Sequence, residues 1–239
     1  MGNPEEQEML AMRKYSLQIL LAFLIIGLSQ PQSLAWHDET HVSIAKVAGY
    51  SKWFNACGPD MIKIKAPQIE RWNHYVNNPS GAIVNAKMVL DQVSKYNKPD
   101  ENGHLYGAII ASLRDYIKDK RKGKYGEYHL AFCSHYVGDL SMPLHNTLYD
   151  AYNRAHHAQT DGIINDEVLD HLDKIKIYPI TINSEEDLAK QIARLANLSI
   201  ELGYRLEREN RLLTKEEAYQ QISHSASLFK GILRYVARE

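Results

Sequence analysis

Apolar residues recur every three to four positions along most of the chain beyond residue 36, which is the spacing of one face of an α-helix. No sustained run alternates apolar and polar residues in the manner of a half-buried strand. Helix start signals such as Ser184-Glu185-Glu186-Asp187 precede some apolar runs. The spacing predicts helices over seven ranges: 39–54, 82–96, 104–120, 125–139, 161–175, 184–208 and 214–237. We therefore expect an all-α fold, a multi-helix bundle in a single domain.

The first 35 residues have the pattern of a targeting segment. Arg13 and Lys14 precede an apolar run over 19–28, and small residues before and at Ala35 are typical of a cleavage point. The apolar run is too short to span a bilayer. An uncleaved signal anchor is the alternative. We expect a signal peptide with an N-terminal extension over 1–35, cleavage near Ala35, and a secreted or periplasmic mature domain over 36–239.

Composition limits the function classes. A chain of 239 residues, 44% of them hydrophobic, is long enough for one substantial core. It has 28 Lys and Arg against 29 Asp and Glu, so no chain-wide charge attracts a polyanion. A nucleic acid or an anionic membrane would have to be bound by a local site. Cys57 and Cys133 are compatible with one disulfide or with two buried thiols.

Several of the eleven histidines stand one helical turn from a carboxylate. His135 and Asp139 are four residues apart, and so are His157 and Asp161. On a helix such residues point to the same side and can hold one cation. One pair alone is more often a surface hydrogen bond, but here two pairs flank His145. The arrangement indicates a metal site.

Three further donors precede these pairs: His41, Asp60 and His74. Nitrogen and carboxylate ligands without thiolates suit Zn²⁺ in a catalytic setting, because structural zinc favours closed, Cys-rich cages. His156 competes with His157 for one ligand position, and the four-residue spacing favours His157. Zinc is therefore the expected cofactor.

The segment from His135 to His145 resembles the central His-x-x-Gly-Asp-x-x-x-Pro-x-His motif of a known family. This family comprises the secreted zinc-dependent phospholipases C and the fungal single-strand-specific zinc nucleases. Every motif position is filled. The resemblance covers the whole predicted mature chain, with the remaining elements in the family's order: Trp36 with His41, Asp60 with His74, and His157 with Asp161.

The resemblance implies a phospholipase C-like catalytic domain over 36–239 that binds about three zinc ions. Trp36 would bind through its free α-amine and carbonyl, so signal cleavage would complete the site. Asp60 would also orient or deprotonate the attacking water, which makes it the candidate catalytic residue. The implied ligand sets are Asp60, His74, His135 and Asp139 for one ion, His145, His157 and Asp161 for a second, and Trp36, His41 and Asp139 for a third.

Such a site favours phosphoester chemistry. Three Zn²⁺ ions outweigh the charge of three carboxylates, and the excess positive charge attracts a phosphate anion and stabilises an ionised water. That water would attack phosphorus in line. A Ser or Cys nucleophile is not needed.

Peripheral residues favour a phospholipid substrate at a membrane or micelle surface. The short segment between His145 and His157 resembles the phospholipase branch, and Glu39 lies where that branch has an acidic residue facing a choline head group. Arg71 stands near the place of an expected choline-facing aromatic and could meet an anionic head group instead. We therefore expect a phospholipase C that hydrolyses the glycerol-phosphate ester bond. No obligate protein partner is inferred.

Two alternatives remain. The spacing from Trp36 to His41 looks more like the nuclease branch, which would make the protein a single-strand nuclease or 3′-nucleotidase acting on single-stranded nucleic acid. A non-enzymatic zinc-binding protein is the weaker alternative. The phospholipase hypothesis predicts an apolar rim that can meet lipid. The nuclease hypothesis predicts exposed aromatic side chains near the metals.

Overall fold

The computed structural model describes residues 36–239, and the predicted signal peptide over 1–35 lies outside that range. All regular structure in the described range is helical, which confirms the all-α prediction. None of these helices is long and apolar enough to cross a membrane. The α-helices are α1 (Asp38–Ala48), α2 (Gly58–Lys65), α3 (Pro67–Glu70), α4 (Ala86–Gln92), α5 (Leu105–Arg121), α6 (Glu127–Ser141), α7 (Ala151–Asp161), α8 (Asn165–Val168), α9 (Glu185–Arg208) and α10 (Lys215–Val236). Short 3₁₀ turns cover Trp53–Asn55, Arg71–Asn73, Val93–Lys95, Pro143–His145 and Leu172–Lys174.

Helix α6 lies at the centre of the bundle. It packs against α5 on one side and against α1, α9 and α10 on others. Its Tyr136 and Val137 belong to the main core with Ile109 of α5 and Phe229 of α10, all fully buried. A second apolar cluster, which includes Trp36, forms beside the end of α6. The main core therefore fixes α6, and the second cluster begins at Met142, directly after the helix ends.

Two helix boundaries differ from the predicted ones for local reasons. The helix predicted over 39–54 ends at Ala48, because Gly49 adopts a left-handed backbone conformation (φ 93°) that stops it. The helix predicted over 82–96 begins only at Ala86. There the Asn85 side chain accepts a hydrogen bond from the Met88 backbone N–H and caps the helix.

The helix predicted over 161–175 is wrong. Asp161 is the last residue of α7, which starts where the Asp150 side chain accepts a hydrogen bond from the backbone N–H of Asn153. Beyond α7 the chain forms turns and the four-residue α8. Ile164 and Val168 are buried in these turns, so their helical spacing reflects packing of a loop rather than one long helix.

Both cysteines are free thiols, so no disulfide forms between them. Cys133 is buried in the main core, where desolvation raises the pKa of its thiol to about 12. Cys57 is half-buried at the start of α2. Of the two arrangements compatible with the sequence, the structure has two thiols, one of them buried.

A capping box at the start of α10 gives a pH-dependent contribution to stability. The Thr214 hydroxyl accepts from the Glu217 N–H, and the Glu217 carboxylate accepts from the Thr214 N–H. Two hydrogen bonds from Arg211 hold the pKa of Glu217 at about 2. Because the pKa is depressed in the folded state, the contribution is present above the ordinary value of 4.5 and is lost as pH falls toward 2.

We expect Glu217→Gln to lower the free energy of unfolding by up to about 1 kcal/mol at pH 7, because the amide can keep the cap hydrogen bond but loses the charged pair with Arg211. The difference from the wild type should shrink as pH falls from 4.5 to 2. Urea denaturation across this range measures it. Glu216→Gln, which alters the exposed neighbouring charge, is the control and should change little. A difference in the free energy of unfolding that stays constant with pH would contradict the stabilising role given to the Glu217 carboxylate.

Candidate metal centre

The predicted ligands come from separate elements and converge inside the fold. All nine are buried, and His157 is the most exposed at 8%. The side-chain donors are His41 on α1, Asp60 on α2, His74 after the Arg71–Asn73 turn, His135 and Asp139 on α6, His145 in the Pro143–His145 turn, and His157 and Asp161 on α7. Carboxylates and imidazoles are buried in this number only where they are paired with one another or hold a metal ion.

These donors form three groups in which the ligand atoms lie within 4.8 Å of one another: His41, Asp60 and His135; His74, His135 and Asp139; and His145, His157 and Asp161. Each group could hold a metal ion. The last group is one of the predicted ligand sets without change. The structure thus brings together residues up to about one hundred positions apart in the sequence.

The predicted four-residue set is also brought together. His74, His135 and Asp139 form one group, and Asp60 lies beside it. The Asp60 Oδ1 atom is 3.8 Å from Nδ1 of His74 and 3.7 Å from Nε2 of His135. The predicted membership of this set therefore agrees with the geometry.

The structure brings together only part of the third predicted ligand set, which consists of Trp36, His41 and Asp139. Nε2 of His41 lies 3.3 Å from Oδ1 of Asp139, as that set requires. The His41 ring also stacks on the His135 ring with 3.8 Å between centroids, which places His41 near Asp60 as well. Trp36 is fully buried, and its indole Nε1 donates to the Ser141 hydroxyl. Ligation by the Trp36 α-amine depends on cleavage before this residue and stays a prediction.

The carboxylate of Asp139 faces nitrogen donors on two sides. Its Oδ2 atom lies 2.9 Å from Nδ1 of His74 and 3.4 Å from Nε2 of His135, whereas Oδ1 faces His41. The two oxygens of one carboxylate thus serve two sets of nitrogen donors. The preceding Gly138 permits this approach, because a Cβ there would lie 2.4 Å from Nδ1 of His41. The motif glycine is therefore required by packing.

Unsatisfied polar atoms at this centre fit a bound cation. Both ring nitrogens of His41 and the Oδ1 atom of Asp139 are buried, and none makes a hydrogen bond of good geometry among residues 36–239, although Nε2 of His41 lies 3.3 Å from that Oδ1 atom. Leaving such atoms unpaired is costly in a folded protein. A metal ion accepts lone pairs from both atom types, so the donors present fit one.

Outer hydrogen bonds fix the orientation of three imidazoles. Each donates its Nδ1–H away from the centre, which leaves the Nε2 lone pair for a metal. The acceptors are the Ala56 carbonyl for His135 (2.8 Å), the His74 carbonyl for His145 (2.5 Å) and the Asn153 Oδ1 atom for His157 (2.6 Å). The tautomers needed for ligation are thus set by the protein.

His74 has the reverse orientation. Its Nδ1 atom faces Asp139, and its Nε2 atom lies 3.3 Å from Oε1 of Glu70. Glu70 is buried and accepts hydrogen bonds from Tyr136 (2.5 Å) and Asn73 (3.2 Å), while desolvation raises its pKa to about 7. A carboxylate behind a metal-binding histidine orients the ring and raises its basicity. Sequence reasoning missed Glu70, although it stands four residues before His74.

A buried lysine lies at the edge of the centre and was also missed. The Lys63 Nζ atom is 2.7 Å from Oδ1 of Asp60, one turn earlier on α2. Its ammonium group offsets the carboxylate charge and fixes the side chain of Asp60. The three-residue spacing within a helix was the available signal.

Burial keeps the histidines neutral. Desolvation lowers the pKa of His41 to about 4 and that of His157 to about 3. The pKa values of His74, His135 and His145 are lowered well below the ordinary value for the same reason. Neutral imidazole is the form that binds metal.

The electrostatic environment of Asp139 also favours a cation. Burial, and then the charge of Asp60, raises the pKa of Asp139 well above its ordinary value. The carboxylates of Asp60 and Asp139 lie 3.8 and 2.9 Å from the same His74 nitrogen, and in a medium of low dielectric constant their charges repel each other. A bound divalent cation would offset both charges and favour ionised Asp139.

The remaining predicted residues lie outside the three groups. The Glu39 backbone N–H donates to the Asn165 side chain, and exposed Arg71 stacks over the Trp72 ring at 3.9 Å. Their roles toward a head group stay predictions. Of the two adjacent histidines at 156 and 157, only the second belongs to a metal-binding group, while the first contacts the ring of Tyr152.

Asn153 allows a test of the hydrogen bonds that orient the histidines from outside the centre. Its amide group donates to the carbonyls of Leu144 and Leu148, which leaves its oxygen to accept from His157. We expect Asn153→Leu to weaken metal binding at the His145, His157 and Asp161 group by roughly 10- to 100-fold, the usual effect of losing such a partner. Titration against a competing chelator measures this. Gln159→Leu on the exposed side of α7 is the control, and equal affinity in both variants would contradict the role.

Comparison with known proteins adds no identification to this geometry. No protein-family model matches the chain, and no curated protein matches it. What the described residues establish is a helical fold with three buried His/Asp groups that could hold metal ions.

Proposed function

We propose that the protein is a zinc-dependent hydrolase of phosphoric esters, in the first place a phospholipase C that cleaves the glycerol-phosphate bond of phospholipids. The convergence of eight buried imidazoles and carboxylates into three groups is the observation that carries this proposal. The groups contain no thiolate, and oxygen and nitrogen donors leave coordination positions for water and substrate. The resemblance of the central motif to zinc-dependent phospholipases and nucleases supports it.

The described residues provide the parts of the proposed mechanism. When bound, zinc would supply Lewis acidity, lowering the pKa of a water to about 7 and stabilising charge on phosphate oxygens. Asp60 is held by Lys63 at 2.7 Å and lies beside His74 and His135. From there its carboxylate can orient the attacking water and take its proton as the water oxygen bonds to phosphorus. The ester bond breaks, and the proton then passes to the departing glycerol oxygen.

Export and cleavage belong to the same proposal. Cleavage near Ala35 would free the α-amine of Trp36. The side chain of Trp36 packs in the second apolar cluster, and its indole N–H donates a hydrogen bond to the Ser141 hydroxyl. The terminal amine and carbonyl would then complete the set that contains His41 and Asp139. The mature protein is proposed to be secreted or periplasmic.

A phospholipid substrate is favoured by the outer surface of α2. Asp60 lies on the buried side of this helix, whereas Met61, Ile62 and Ile64 are exposed on it. Exposed apolar side chains beside a site are the rim expected of an enzyme that meets a lipid surface. The substrate would approach the centre past this rim.

One observation favours the nuclease alternative. Tyr149 is 54% exposed, its ring lies 6.1 Å from that of His157, and Arg154 lies over it at 5.8 Å. An exposed aromatic ring with a neighbouring guanidinium can stack a nucleobase. Single-stranded nucleic acid is therefore the second candidate substrate.

Parallel turnover assays separate the candidates. We expect the zinc-loaded protein to release phosphocholine from phosphatidylcholine faster than it cleaves single-stranded DNA, a chelator to abolish turnover, and added zinc to restore it. DNA cleavage that Tyr149→Ala reduces would select the nuclease. A zinc-loaded protein inactive on both substrates would contradict hydrolysis and leave a zinc-binding protein.

A further inference from the structure

The chain between the Leu172–Lys174 turn and α9 lies along the outside of α10, held by two serines. The Ser223 hydroxyl accepts a hydrogen bond from the Lys176 N–H (2.9 Å), and the Ser227 hydroxyl accepts one from the Tyr178 N–H (2.8 Å). N–H groups of alternate residues point to the same side of an extended chain, as they do here. Two serines one helical turn apart on α10 therefore take the place of a neighbouring strand.

The next step of this pattern has no acceptor. One turn beyond Ser227 stands Gly231, which has no hydroxyl group, and two residues beyond Tyr178 stands Ile180. A Cβ atom on Gly231 would lie 3.2 Å from Cγ2 of Ile180, so the two residues are in contact. The Ile180 N–H forms no hydrogen bond with any residue between 36 and 239. The chain thus presents an unpaired backbone donor where the pattern of serines ends.

A cavity of about 130 Å³ lies at this position. It is lined by residues 177–180 and, on α10, by Ser227, Lys230, Gly231 and Arg234. Lys230 and Arg234 stand one helical turn apart, and neither side chain has an ion-pair or hydrogen-bond partner within the described chain. A water takes up roughly 30 Å³ in the liquid, so the cavity has room for about four waters or one phosphate group.

No carboxylate lines the cavity, and the acidic residues near it in the sequence have other partners. Helix α10 itself contains none between Glu217 and Glu239. Asp173 lies near Tyr219, two helical turns before Ser227. The remaining four are paired: Glu185 with Arg114, Glu186 with Lys190, Asp187 with the Asn183 N–H, and Glu239 with Arg121. The protein therefore does not neutralise the charges of Lys230 and Arg234.

Helices α1 and α6 contact α10 on its other side. Ser225 donates to the Val137 carbonyl of α6, and the ring of Phe229 contacts that of Tyr50, which follows α1. Ser225 and Phe229 are each two residues from Ser227, which on a helix places them on the opposite side. Helices α1 and α6, with their carboxylates, therefore lie across α10 from the cavity.

We propose that this cavity binds the phosphate group of a phosphate monoester, at a site separate from the metal centre. Lys230 and Arg234 supply two positive charges, and a monoester carries a charge of roughly −1.5 to −2 at neutral pH. A carboxylate would match only one of the two cations. The Ile180 N–H donates a hydrogen bond to one phosphate oxygen. Exposed Ile177 and Pro179 contact the organic part of the ligand.

The cavity goes beyond the proposed function, because none of its lining residues belongs to a metal-binding group. A phospholipase C of the proposed kind would itself release a phosphate monoester, so its soluble product belongs to the class of ligand that the cavity fits. A lipid head group that ends in a phosphate has the same chemistry. Binding at the cavity can be measured without turnover, so it is tested apart from hydrolysis.

The test follows the backbone N–H of Ile180 by NMR in zinc-loaded protein that contains isotope-labelled isoleucine, with Ile180→Val used to assign the signal. Glycerol phosphate is the free monoester, acetate is the anion of lower charge, and sedimentation with vesicles that contain phosphatidic acid tests a monoester carried by a lipid. Lys230→Gln with Arg234→Gln removes both charges of the cavity. Lys118→Gln with Lys122→Gln removes the same charge at the same spacing from another exposed surface and is the control.

We expect glycerol phosphate to shift the Ile180 signal saturably, and the cavity variant to bind it roughly 10- to 100-fold more weakly than the wild type and the control variant. Phosphate bound at the metal centre would not distinguish the two variants. Vesicle binding that requires Lys230 and Arg234, without glycerol phosphate binding, would assign the cavity to a lipid head group. Equal affinity in both variants, or no binding of either monoester, would overturn the proposal. So would acetate that binds as tightly as glycerol phosphate.

Discussion

Asp139→Ala is expected to lower turnover of every phosphodiester to below roughly a thousandth of the wild-type value, because it removes the carboxylate shared by two of the proposed ligand sets. One oxygen of Asp139 faces His74 and His135, and the other faces His41. Loss of this anion leaves the facing imidazoles without their common partner. We therefore also expect the zinc content to fall from about three ions toward one, held by the group of His145, His157 and Asp161.

The measurement for Asp139→Ala combines turnover, zinc content by mass spectrometry and circular dichroism. Helical signal should be largely retained, since the apolar side chains of α6 belong to the main core. Asp166→Ala, at an exposed acidic residue beyond α7, is the control and should behave as the wild type. Undiminished activity in Asp139→Ala would remove these residues from the mechanism.

Asp60→Asn is expected to lower kcat by roughly 10²- to 10⁴-fold while the protein retains most of its zinc. The amide keeps the shape of the side chain but cannot take a proton from water. Zinc should remain because His74, His135 and Asp139 still form a group without Asp60, and the Asn amide oxygen keeps an oxygen donor beside His41 and His135. The contrast with Asp139→Ala lies in metal content: both variants lose activity, but only one should lose ions.

Steady-state kinetics on a monomeric substrate, with zinc counted in the same sample, test the role of Asp60. Lys63→Met provides a comparison, because it removes the ion pair at 2.7 Å but keeps the carboxylate. We expect its kcat to fall less than that of Asp60→Asn. A loss of zinc that parallels the loss of kcat in Asp60→Asn would make Asp60 a ligand only and contradict its role as a base.

The longer helices were predictable because the apolar spacing and the helix start signals agreed. Helices α9 and α10 lie within one residue of their predicted ranges, and each begins at a side-chain cap, Ser184 or Thr214. Helix α2 was missed because its apolar residues point outward, so the chain there lacks the expected contrast between a buried apolar side and an exposed polar side. Helix α7 was missed because buried apolar residues in the following turns imitated helical spacing.

The ligand pairs were predictable from local geometry, since residues four apart on a helix meet on one side. His135 with Asp139 and His157 with Asp161 follow this rule, because the first pair lies on α6 and the second on α7. Glu70 and Asn153 stand at the same spacing before His74 and His157, so a signal existed. Their importance comes from burial and from hydrogen bonds between distant elements, which single-sequence patterns do not contain.

The zinc content of the purified mature protein tests the central claim most directly. Mass spectrometry of metals in protein prepared with zinc and freed of excess by gel filtration should give about three ions per chain, in keeping with the three buried His/Asp groups. Protein that remains folded under these conditions and binds no zinc would contradict the account.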